Sequence, residues 1–355
     1  MSNREFSGVL GDNLGKRRVG KKTGKKLVFV LGFALTALFG ASQAGAAIAG
    51  WPKFNRDKQK EPETTIVQPE MTPLEQRAAA YVQFRSDIDL LSATVIDSAH
   101  ATRDAHNRLA SHSPDKLSSG WVAYAALVAA DNGEFANSVK KEMARLGGRD
   151  QFLSALRQDP SLALNLDGSK AAIDDILQVT AMDAYKVKAL ADSFIAEAYA
   201  LQKKSWAKRK ISPGMSRVDS ARSYSYSRAS LSAPILPAST ASGVIQPELA
   251  SADALWAPDW AGSGNYAKRS RDATPILARA LVLAARYSVG DVDERSVSTY
   301  ARNNRANKCL TTAKLNLDQC VAATRTPYEE MFCLGTHGLQ DVASCVGHVA
   351  GVSGN

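Results

Sequence analysis

The chain has 355 residues, 45% hydrophobic and 22% charged, so it can hold one large core or two modest ones and is neither fibrous nor wholly disordered. Its formal charge is +9, yet residues 1–26 carry eight Lys/Arg against Glu5 and Asp12, which leaves 36 basic against 33 acidic groups in the rest. The basicity belongs mostly to an N-terminal tail and gives no ground for a nucleic-acid-binding reading of the whole.

That tail, residues 1–26, runs into "LVFVLGFALTALFGASQAGAAIAG", residues 27–50, which contain no ionisable side chain. At about 1.5 Å per residue the segment is long enough for a hydrocarbon core of about 30 Å, and its cationic flank predicts a cytoplasmic N-terminus with the bulk of the chain outside. Two fates fit. An uncleaved inner-membrane anchor would place Trp51 at the interface; a cleaved signal peptide would use Ala44-Gly45-Ala46 or Ala47-Ile48-Ala49 and release a periplasmic or secreted protein. Residues 51–73 are polar and proline-dotted, and read as a linker off the membrane.

Residues 74–206 carry helical periodicity throughout. Tyr81, Phe84, Ile88, Leu91 and Val95 recur at steps of three and four, predicting one helix running towards Ala110. Ser113-Pro114-Asp115 predicts the start of a second helix and Asn132-Gly133 its end. Phe135, Val139, Met143 and Leu146 mark a third that stops at Gly147-Gly148, and Asp150 to Pro160 frames a short fourth. A long helix follows from about Ser169 to the neighbourhood of Trp206. No alternating β-branched run occurs here, so the expected fold class is all-α, a helical bundle or irregular helical array.

Residues 207–271 read as a low-complexity basic linker, disordered where Ser, Ala and Arg dominate. Across its start, residues 203–228 hold Lys203, Lys204, Lys208, Arg209, Lys210, Arg217, Arg222 and Arg228 against the single acid Asp219. Such an arm could contact an anionic envelope polymer or lipid headgroups; the plainer reading is a solvated linker that its charges keep extended. Nucleic acid is the least fitting partner for an exported arm. A C-terminal helical region, residues 272–351, opens with Asp272 as expected cap and the apolar face Ile276, Leu277, Leu281, Val282 and Ala285.

All four cysteines lie in this last region. Cys309 and Cys320 are eleven residues apart, about 20° apart on one helix. Thr326-Pro327 with Glu329 is a capping-box signature that starts a second helix. Folded antiparallel, Cys309 comes level with Cys345 and Cys320 with Cys333, both pairs centred on residues 326–327, where the cap independently places the turn. The expectation is two nested disulfides, Cys309–Cys345 and Cys320–Cys333, in an oxidising compartment. The weak point is the second arm: Gly335 and Gly338 lower helix propensity, and twelve residues set Cys333 and Cys345 about 120° apart on an α-helix. In geometry alone the hairpin resembles that of the coiled-coil-helix-coiled-coil-helix proteins, with C-x10-C and C-x11-C in place of their twin C-x9-C, and no function is implied. The rival is a zinc site from Cys333, His337, Cys345 and His348, which would leave Cys309 and Cys320 as spare thiols. With a flexible arm between them, the region before residue 206 is expected to be indifferent to the cysteines.

Catalytic motifs are scarce. His100, His106 and His112 recur every six residues, about 120° apart around a helix, and read with Asp97 and Asp104 as polar-face residues. Glu329 and Glu330 diverge by about 100°, with Glu329 accounted for by capping. No nucleophile elbow, zincin motif or phosphate-binding glycine loop is present, and no cofactor is indicated. The expected function is an exported or membrane-anchored envelope protein of bacterial type acting as an interaction or scaffold module. The alternative is a peptidoglycan-modifying enzyme, which would need a polar cleft around a buried, shifted carboxylate.

Overall fold

The computed structural model describes residues 70–231, 235–239, 245–249, 270 and 273–352. The tail, the 27–50 segment and most of the 51–73 linker lie outside the described residues. Among the described residues no helix is long and apolar enough to cross a membrane.

Thr72 and Glu75 start α1 (Pro73–Ala93), the Glu75 carboxylate accepting from the Thr72 N–H at 2.7 Å. Tyr81, Phe84, Ile88 and Leu91 are buried as the periodicity expects, but Val95 is 78% exposed. The helix stops because Thr94 turns extended and Ser98 caps a new helix, α2 (Ala99–Ala110), by accepting from the Ala101 N–H. One expected helix is therefore two. The third, α3 (Pro114–Asp131), is buried on every side between Leu117 and Ala129, where Ser118 and Ser119 are the polar members before an apolar run from Trp121. Asn132 both ends α3 and caps α4 (Gly133–Arg145), which halts before Gly147. Next come α5 (Arg149–Gln158), a 3-10 turn at Pro160–Leu164, and α6 (Ser169–Leu201), the longest helix described.

The expected disordered linker contains a helix, α7 (Gly214–Ser227). Gly214, Arg217, Val218 and Ala221 recur at i, i+3, i+4 and i+7 and are all buried, a helical stripe concealed because one of its members is an arginine. Two short antiparallel strands follow, β1 (Ile235–Ser239) and β2 (Ile245–Leu249), with Pro237 opposite Pro247. Within 207–271, residues 232–234, 240–244, 250–269 and 271 lie outside the described residues.

The C-terminal region holds α8 (Thr274–Ser288), α9 (Glu294–Tyr300), α10 (Asn304–Ala323), α11 (Pro327–Cys333), a π-helical segment (Leu334–Gln340), α12 (Asp341–Gly347) and a 3-10 turn at His348–Ala350. It is not a separate body. The sheath around α3 is built from α1, α6, α8 and α10, while α6 lies against α11, the π segment and α12. One hydrophobic cluster runs from Leu74 to Val352, and residues from Ile66 onwards form one unit.

Candidate functional site: a stapled hairpin and a basic edge

The four cysteines pair as their spacing predicts. Cys309–Cys345 has its Cα atoms 5.6 Å apart and Cys320–Cys333 5.7 Å apart. At the turn, the Glu329 carboxylate accepts from the N–H groups of Arg325 at 2.7 Å and Thr326 at 3.0 Å. Burial raises the Glu329 carboxyl, but these hydrogen bonds outweigh it and leave the group below its usual range. The zinc reading is overturned: Cys333 and Cys345 are spent in different disulfides, and His337 Nδ1 lies 2.9 Å from the Asp341 carboxylate. Among the described residues, no group of three or more His, Cys, Asp and Glu could hold a metal ion.

Contacts to one glutamate tie the hairpin to the rest of the fold. His106, expected on a polar face, has no exposed surface; its Nδ1 lies 2.8 Å from Glu330 Oε1. Arg217 Nε lies 3.1 Å from Glu330 Oε2. Neither approach is aligned as a hydrogen bond, and the Arg217 contact is an ion pair. The Arg217 guanidinium also donates to the carbonyls of Ser212, Val321 and Thr324 and to the Thr324 hydroxyl. Thus α2, α7 and α11 meet on one buried carboxylate, and Glu330 holds the role that adjacency to Glu329 concealed.

A second carboxylate, Asp87 on α1, gathers two arginines and a histidine. Arg228 grips it through two nitrogens at 2.6 and 2.7 Å, His112 Nε2 lies at 2.6 Å, and Arg108 at 2.8 Å. Burial would raise this carboxyl, but hydrogen bonds from His112 and Arg228 hold it well below the usual range. The third carboxylate is Asp183 on α6, which accepts from the Tyr81 hydroxyl at 2.9 Å and from Arg85 Nε at 3.1 Å. Arg85 also donates to the Tyr124 hydroxyl and lies over its ring, 4.8 Å from the centroid. Burial pushes Asp183 up to about 6 despite the neighbouring Arg85. This shifted carboxyl is closed inside packed helices at 1% exposure, without the cleft that hydrolysis of a polymer would need.

The eight cations of the expected arm therefore separate. Arg217 and Arg228 are corrected: Arg217 is buried against Glu330, and Arg228 turns its guanidinium onto the buried Asp87, so both are taken up in ion pairs within the fold. Arg222 is exposed and lies 3.2 Å from Asp219. Lys203, Lys204, Lys208, Arg209 and Lys210 are all exposed, with no ion pair among the described residues. They sit where the chain leaves α6, turns through a short 3-10 helix at Trp206–Lys208, and is fastened to the hairpin by the Ile211 N–H donating to the Arg325 carbonyl at 3.0 Å. Arg325 is exposed on the same edge. One turn before Lys203, Tyr199 is 58% exposed and stacks edge-on with exposed Phe332 of α11 at 6.1 Å.

Compared with family models, curated proteins and solved structures, the chain matches none. Fold and edge together define a class, a disulfide-stapled helical protein with a fixed cationic edge, and function has to be argued from that edge.

Proposed function

We propose that the protein is an exported or membrane-anchored interaction module of the cell envelope that docks on anionic lipid headgroups through residues 199–210 with Arg325 and Phe332. The observation that carries this is a run of five exposed cations without an intervening acid, beside an exposed aromatic pair. Cations at the C-terminal end of α6 would favour the helix dipole in any protein, an effect confined to the last turn, whereas this run extends well past it. Exposed aromatic rings suit the headgroup region, and each Lys or Arg near an anionic surface contributes about 1 kcal/mol. Two disulfides fit a protein that works outside the cytoplasm. The peptidoglycan-hydrolase reading has a shifted carboxyl in Asp183 but no substrate path to it.

Flotation of the fragment from residue 66 with phosphatidylglycerol vesicles tests the reading. Binding should fall steeply with salt, be absent on phosphatidylcholine, and weaken at least about tenfold when Lys203, Lys204, Lys208, Arg209 and Lys210 are changed to Gln. Binding that ignores salt and survives those substitutions would remove the lipid reading.

A further inference from the structure

Several arginines of this fold have a buried or half-buried carboxylate as partner: Arg85 has Asp183, Arg108 and Arg228 share Asp87, Arg217 has Glu330 and Arg286 has Asp291. Arg279 on α8 differs. It is partly buried, makes no ion pair among the described residues, and donates only from Nε to the Pro275 carbonyl of its own helix, at a long 3.4 Å. It stands on the wall of a cavity of about 270 Å³ enclosed by α3, α8, the start of α10 and the C-terminal 3-10 turn.

The cavity is apolar in depth and cationic at its side. Trp121, Ile276, Leu310 and Val349 supply buried apolar surface, and the Trp121 indole N–H is already satisfied by the Thr180 hydroxyl at 3.2 Å, so its ring offers only its apolar body. No Asp or Glu lines the space. The Cys309–Cys345 disulfide forms part of the wall and fixes α10 to α12 there, so the cavity is braced covalently. Small-molecule sites combine such an apolar lining with a few placed polar groups, and a partly desolvated guanidinium without a carboxylate is the group that an anion would complete.

We infer that this cavity binds a small amphiphile with an anionic head, a medium-chain carboxylate, its head on Arg279 and its chain against Trp121, Ile276 and Leu310. The geometry is a cavity of apolar depth whose wall carries two arginines, Arg305 and Arg279, of which Arg279 has no acid among the described residues. The site is separate from the basic edge and stands whether or not that edge binds lipid. Within it, Arg279 pairs bidentately with the carboxylate, and burial lowers the cost of that pairing by having already stripped part of the guanidinium's water. The N-terminus of α10, whose first residues line the same space, adds a favourable dipole without carrying the site.

Calorimetric titration of the oxidised full-length protein with octanoate and, separately, with octanol tests this. Octanoate should bind saturably at one site, and octanol about tenfold more weakly or worse, the loss expected when a hydrogen bond to a charged group is missing. Arg279→Gln should weaken octanoate by about the same factor and leave octanol unchanged. Ala306→Leu, a helix-compatible replacement on the cavity wall, should abolish both while the far-ultraviolet dichroism stays that of the wild type. Absence of saturable octanoate binding, equal binding of octanol, or full octanoate affinity in Arg279→Gln would each overturn the assignment.

Discussion

Two buried carboxylates respond to pH in opposite senses, and the sign follows from which state holds the proton more tightly. Asp183 has its carboxyl raised from the ordinary 3.8 to about 6 by burial, so between those values the folded chain binds more protons than the unfolded one. Its contribution is complete below pH 3.8 and is lost as pH rises through about 6. Asp87 is the reverse: hydrogen bonds from His112 and Arg228 override burial and depress it below 3.8, so its contribution is present above that pH and is lost as pH falls. These two groups therefore predict greatest stability in mildly acidic solution, between the two transitions. Urea midpoints of Asp183→Asn should show a flatter slope between pH 4 and 6 than the wild type, and those of Asp87→Asn a smaller loss below pH 4. A wild-type profile that rises steadily from pH 4 to 7, with a slope unchanged in Asp183→Asn, would contradict the burial of a shifted carboxyl. None of this was legible in sequence, because an isolated Asp in a helical pattern reads as a solvent-facing residue whether it faces water or two arginines and a histidine. His106 misled for the same reason.

At the level of the element, the second arm of the hairpin shows how a structure can satisfy a constraint that an ideal helix violates. Twelve residues of α-helix would leave Cys333 and Cys345 about 120° apart, too far around to share the face of α10. The chain inserts the π segment Leu334–Gln340, and its wider turn advances roughly 15° less per residue, on the order of 100° over the segment, which returns Cys345 to the required side. Gly335, one of the glycines that weaken the arm, and Gly347 set its distance from α6. A Cβ built on Gly335 would lie 2.7 Å from the Ile195 side chain and 3.0 Å from its backbone nitrogen, and one on Gly347 2.6 Å from the Ala184 Cβ. Helix propensity alone predicts that Gly335→Ala stabilises by up to about 1 kcal/mol; the close approach predicts the opposite, a loss of about 1–3 kcal/mol. Thermal unfolding decides between them, and a raised midpoint would rule out the close packing of this arm on α6. The disulfide pairing was readable because spacing and cap pointed to one turn, whereas the π insertion was not, since it has no residue signature beyond glycines that equally suggest a weak helix.

For the whole molecule, the decisive change from the sequence reading is that the cysteine region is part of the main core and not a body on a tether. Composition suggested a disordered connection after residue 207, but the stripe Gly214, Arg217, Val218 and Ala221 folds that stretch into α7, and Arg217 joins it to Glu330 of the hairpin and through it to His106 of α2. The hairpin in turn covers α6, whose other faces meet α1 and α3. A perturbation of the staple must then propagate. Replacing Cys320 and Cys333 together with Ser leaves Cys309–Cys345 able to form and removes a loop constraint worth about 3 kcal/mol. In a unit of this size, that corresponds to a midpoint lower by about 6–10 °C. The loss should appear in one transition, with amide exchange of α1 and α3 accelerating together with that of α10 and α11, because no boundary separates them. Independent helical regions would give a different result: the amides of α1 through α6 would keep their wild-type protection while only the hairpin exchanged faster, and the single core described here would have to be divided at α7.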